Sequence, residues 1–130
     1  MVQEANITPE VQDAFAKVTN TTYRWAIAAI EGPPDVIVLK HFGLRDSTIE
    51  DLCAVLADEP CYVVYDFEGT RADSSTLTKT CFVAFAPDSC MSMKKKFALQ
   101  NYKASVKSKI NCQKEMQIND KADFNEREFA

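Results

Sequence analysis

Residues 61–85 read CYVVYDFEGTRADSSTLTKTCFVAF: two apolar runs, 61–67 and 77–85, joined by a stretch of glycine, charged and hydroxyl residues. Runs this rich in Val, Phe, Tyr and Cys predict two strands in the middle of a sheet, and EGTRADSST suits a long, exposed hairpin loop. Upstream, residues 23–30, YRWAIAAI, form another strand pattern; Gly32-Pro33-Pro34 stops it before a run at 36–39, and the two look like a hairpin. Thr8 before Pro9 predicts a capped helix start, with Val11, Phe15 and Val18 as the buried stripe. Ser47 with Glu50 three residues on predicts a capping box for a helix carrying Ile49, Leu52, Cys53, Val55 and Leu56, which Pro60 ends. Downstream, Ala86-Pro87-Asp88 breaks the strand run, residues 115–118 alternate like a short strand, and Asp120 can cap a last helix holding Phe124 and Phe129. This order predicts an α/β fold, strands covered by helices on both sides, with residues 1–130 as a single domain.

Between these elements lies KKKFALQNYKASVKSKI, residues 94–110, with six lysines and no acid in a chain of formal net charge −4. The rest of the chain therefore carries about −10, so the basicity is local and points to an acidic partner. Wound as a helix, Lys96, Lys103 and Lys107 fall within about 40° of one another, and Leu99, Tyr102, Val106 and Ile110 form an adjoining apolar stripe. A lysine-rich face is by itself most often just a solvated one.

Composition narrows the class further. The chain is 46% hydrophobic and 26% charged, ordinary for a soluble globular protein. No run approaches the roughly 20 apolar residues of a membrane span, and the first ten residues lack the pattern of a signal peptide, so a cytoplasmic location is expected. Five cysteines, Cys53, Cys61, Cys81, Cys90 and Cys112, form no CxxC pair and are expected to be reduced. His41 is the sole histidine, and no phosphate loop, metal-ligand cluster or paired nucleophile and base is present, so no enzyme, cofactor or metal is expected. A sequence pI near 5.0 argues against nucleic acid as the ligand of the lysines.

Several strings in order resemble the actin-depolymerising factor/cofilin family. Tyr23-Arg24-Trp25 with Ile27 and Ile30 is similar to that family's first strand, residues 60–67, PCYVVYDF, to its C-R/Y-Y-A/V-V-Y/F-D segment, and Phe85-Ala86-Pro87-Asp88-Ser89 to its W-A/S-P-D/E-S/T turn. Lys94-Lys95-Lys96-Phe97 resembles the R/K-x-K-M motif that opens the family's actin-binding helix, with Phe97 where methionine is usual, and Lys103 stands at the family's helix-lysine spacing. Residues 115–120, EMQIND, are similar to the family's H/E-L/I-Q-A-N/T-D strand and turn.

The resemblance implies a mixed, mostly antiparallel sheet between helices. It also implies a non-catalytic, monomeric protein of the actin cytoskeleton that binds monomeric and filamentous actin, prefers ADP subunits and promotes depolymerisation and severing. Lys94, Lys96, Phe97, Lys103 and Lys107 would form the main actin surface, and Arg71, Lys79, Lys121, Glu126 and Arg127 a second, filament surface. Lys94, Lys95, Lys96 and Lys103 would be the set for anionic phosphoinositides. The alternatives are a filament-only binder of the coactosin or glia-maturation-factor kind, or a phosphoinositide module without depolymerising activity. Few residues follow Phe129, so monomer binding is expected to exceed severing. Gln3 falls where many relatives carry a regulatory serine, which implies that this phosphorylation control is missing.

Overall fold

A computed structural model describes residues 6–20, 22–31, 35–56, 59–70, 76–88, 92–110, 112, 114–120 and 123–124, with the backbone alone at 68–70 and 76–78. Among these residues are β1 (Tyr23–Glu31), β2 (Val36–Leu44), β3 (Cys61–Thr70), β4 (Thr76–Phe85) and β5 (Lys114–Ile118), and helices α1 (Pro9–Thr19), α2 (Ile49–Val55) and α3 (Met93–Lys107). The strands form one sheet in the order β2-β1-β3-β4-β5, antiparallel except for β4 beside β5. Trp25 sits opposite Tyr65, Cys61 opposite Phe85, and Phe85 also opposite Ile118.

The near-continuous apolar runs of β1, β3 and β4 follow from coverage on both faces, which leaves no polar side for alternation. Trp25, Ile27, Cys61, Val63, Tyr65, Phe67, Cys81, Val83 and Phe85 pack toward Ile49, Leu52 and Leu56 around α2, together with Phe124. On the opposite face Ala26, Ala28, Tyr62, Val64, Phe82 and Ala84 meet Val11, Ala14, Phe15 and Val18 of α1 and Leu99 and Val106 of α3. Alanines at 26, 28 and 84 leave room for two helices on that side, while the bulkier residues fill the side covered by the short α2. The edge strands β2 and β5 carry the exposed residues.

Several local expectations are corrected. Thr8 occupies the cap position of α1, but its buried hydroxyl makes no hydrogen bond; the start is held by its backbone, which donates to the Ile37 carbonyl at 3.1 Å and accepts from Val11 and Gln12. The α2 capping box is Thr48 with Asp51, one residue later than Ser47 with Glu50: Thr48 Oγ1 accepts from the Asp51 amide at 3.2 Å, and the Asp51 carboxylate accepts from the Thr48 amide at 3.0 Å. That helix stops at Val55, which is exposed, because Leu56 is already extended; the buried Pro60 leads into β3. β2 runs past residue 39 to Leu44, with register irregularities against β1 between Tyr23 and Trp25 and between Ile27 and Ala28. The β3–β4 pairing continues to Thr70 opposite Thr76, so much of the expected loop is strand. Asp123 donates its amide to the Asp120 carbonyl and Phe124 is buried edge-on against Phe85 at 5.4 Å; Phe129 lies outside the described residues.

Candidate docking face on the lysine helix

Helix α3 begins at Met93, where the Ser92 hydroxyl accepts from the Lys95 amide at 3.3 Å, and it gives way to a turn at Ser108. Leu99 and Val106 are fully buried against the sheet, Tyr102 and Ile110 half-buried beside them, so the apolar stripe read from the sequence is the seating face. The fully buried Tyr62 donates its hydroxyl to the Leu99 carbonyl, tying the middle of the helix to the central strand β3. At one flank the Tyr102 hydroxyl donates to Asp35 Oδ2 at 3.0 Å, and at the other Gln100 donates to Gln117 of β5 at 3.2 Å. A helix fixed on both flanks presents its outer side chains from a rigid base.

That outer side carries large apolar side chains in solvent. Phe97 is 61% exposed and Met93, one turn earlier, 58%. With Asp35, Lys94, Ala98, Asn101 and Tyr102 they line an open groove of about 450 Å³. Lys94 projects on one side of this ridge and Lys96 on the other; among the described residues neither makes an ion pair. An exposed aromatic with a thioether beside it and free cations on its rim is the make-up of an interface centre rather than of a solvated face.

The remaining lysines are differently placed. Lys95 turns toward Glu59 at 3.5 Å, across a smaller cavity of about 180 Å³ that Ser92 and Lys94 also line. Lys103 and Lys107 both reach Glu115 of β5, at 3.2 and 2.6 Å. The hydrogen bond from Lys107 holds the Glu115 carboxyl below its ordinary pKa, and the same contact raises that of Lys107. Lys79, of the expected second surface, is half-buried on β4 opposite Phe67, away from α3. Arg71, Lys121, Glu126 and Arg127, and also Gln3, lie outside the described residues. Sequence reasoning missed Met93, although its four-residue spacing from Phe97 was the available signal. It missed Glu115 as a partner, for which no local signal existed.

One other grouping offers no comparable chemistry. His41 and Cys61 line one cavity of about 90 Å³, but burial pushes the Cys61 thiol up to about 12, which leaves it protonated and unreactive at neutral pH. Among the described residues no cluster of His, Cys, Asp and Glu could hold a metal ion, and no helix is long and apolar enough to cross a membrane.

Comparison with known proteins places this architecture. The chain is 31% identical to actin-depolymerizing factor 8 of Arabidopsis thaliana over 52% of its own length and 49% of that protein's, and 33% identical to an actin-depolymerizing factor of Brassica napus over 58% and 59%. It thus spans about half the length of the curated relatives it matches. In structure it is similar to actin depolymerization factor 2 of Plasmodium berghei (TM-score 0.83, 22% identity, 99% of this chain and 95% of that one). Similar again is a coactosin of Entamoeba histolytica (TM-score 0.81, 21% identity, 97% and 91%). At such identities these structures speak for the fold alone. The family model described as "Cofilin/tropomyosin-type actin-binding protein" matches residues 4–130, nearly the whole sequence, and the chain belongs to that family.

Proposed function

We propose that this protein binds actin, as monomer and in filaments, through the outer side of α3, and promotes filament depolymerisation and severing and the turnover of monomers. The observation that carries the reading is the exposed Met93 and Phe97 pair on an anchored helix, flanked by Lys94 and Lys96, which make no ion pair among the described residues. Phe97 supplies apolar area, and the two lysines supply attraction to an acidic surface and orientation on it. Lys103 and Lys107 continue the basic row along the helix, where both are held on Glu115 of β5. Lys79 with Arg71, Lys121, Glu126 and Arg127 is proposed as the second contact that bridges filament subunits. The protein acts as a monomer in the cytoplasm at the actin cytoskeleton, by binding and not by catalysis. It prefers ADP subunits and shifts the filament toward the subunit arrangement it binds best, which weakens neighbouring contacts.

Sedimentation of ADP-actin filaments with the wild-type protein and a Lys94→Ala/Lys96→Ala variant tests this. Actin should move to the supernatant with wild type and much less with the variant. Wild-type protein that pellets with filaments and releases none would favour a filament-only binder of the coactosin kind, a reading supported by the fold likeness to that group. Phosphoinositide headgroups are a proposed competing ligand of Lys94, Lys95, Lys96 and Lys103. Vesicles carrying them should release bound actin, and binding without release would count against a shared site.

A further inference from the structure

The line where α3 crosses β5 has an ordered chemistry. Gln100, Lys103 and Lys107 recur at helical spacing within about 60° of one another, and Lys96 shares their row. Strand alternation puts Glu115 and Gln117 on the α3 side of β5, while Met116 and Ile118 pack on the α2 side. Each Glu115 oxygen takes one lysine, Oε1 from Lys103 and Oε2 from Lys107, and Lys103 is left only 24% exposed. Among the described residues Lys96 has no such carboxylate.

We infer that Glu115 is an internal competitor for the lysine row: it holds Lys103 and Lys107 against the protein's own strand and confines an acidic partner's contacts to Lys94 and Lys96. This rests on the reading that an acidic actin surface docks on α3, and it names the residue that decides which lysines that surface meets. A partner carboxylate recruits Lys103 or Lys107 only by displacing one already tethered beside them at high effective concentration. The exchange of one carboxylate for another returns little net attraction. Among the described residues Lys94 and Lys96 have no such bond to give up, so a charge contact made there is not offset.

The test has an arm that needs no actin. Brief amine acetylation of the folded protein, read for each lysine by mass spectrometry, should label Lys94 and Lys96 about threefold or more faster than Lys103 and Lys107, because amines held in charge-assisted hydrogen bonds to Glu115 are less available to the reagent. Glu115→Gln, nearly isosteric and partly exposed, should bring the slow pair to within about twofold of the fast one, with the fluorescence of the buried Trp25 confirming an intact fold. In the second arm, Lys103→Ala/Lys107→Ala should weaken actin binding less than about twofold in the wild-type background and more than about fivefold beside Glu115→Gln. Labelling rates unmoved by Glu115→Gln, or an equal loss in the two backgrounds, overturns the inference. The expected labelling pattern with no actin binding by any variant overturns the actin reading instead and leaves the assignment of Glu115 intact.

Discussion

Phe97→Ala separates docking from folding, since its effects on the two should have opposite signs. The ring is 61% exposed, so of the roughly 200 Å² a phenylalanine can bury, about 120 Å² faces solvent. Covered by a partner at about 25 cal/mol per Å², that area contributes about 3 kcal/mol, of which the alanine keeps about a third. The variant should thus lose about 2 kcal/mol of binding, about thirtyfold in Kd. Folding should not suffer, because the ring contributes little to either core cluster, and alanine has the better helix propensity by about 0.5 kcal/mol. The assay is a titration of fluorescently labelled actin monomers, paired with urea unfolding followed by the fluorescence of Trp25, the only tryptophan. An affinity within about twofold of wild type would refute the docking face. A lowered unfolding midpoint would refute the claim that the ring stands outside the core.

Other perturbations probe the scaffold. A Cβ at Gly43 would lie 2.4 Å from Trp25 Cε2 and 2.6 Å from Nε1, and the indole is buried with nowhere to move, so Gly43→Ala should destabilise by about 1–3 kcal/mol in the same urea assay. Arg45→Ala strips the Asp66 carboxylate, almost fully buried, of an ion pair at 2.6 Å; the loss should be about 2–3 kcal/mol, below the range for fully buried pairs because Arg45 is partly solvated. Glu115 and Asp51 are held below their ordinary values of 4.5 and 3.8, so their stabilisation is present above those values and lost as pH falls through the depressed ones. An acid titration of the urea midpoint should therefore decline below about pH 4.5, and Glu115→Gln should flatten that limb.

The core of this fold was legible because its strands are buried on both faces. The largely apolar runs at 61–67 and 77–85 admit few other readings, and the helical spacing of Leu99, Tyr102, Val106 and Ile110 correctly gave the seating face of α3. What failed was local and nearly degenerate. Ser47 with Glu50 and Thr48 with Asp51 both satisfy the capping spacing, and which pair forms depends on where the chain leaves β2. There Arg24 and Arg45 bind backbone carbonyls and Asp66 across the strands, at separations no local rule sees. The end of β2 was hidden by polar Lys40 and His41, which suit an exposed edge strand as well as a turn. The lysine row was legible as charge, but its division into free and paired members was not, because Glu115 comes to it through the parallel pairing of β5 with β4.

The most direct test of the account is the affinity for monomeric ADP-actin of wild type and Lys94→Ala/Lys96→Ala, measured at about 50 and about 200 mM salt. The account predicts that wild type binds and weakens as salt rises, and that the variant is about tenfold weaker at low salt with a much flatter salt dependence. Wild-type protein that does not bind, or a variant that binds as well as wild type at both salt concentrations, would contradict it.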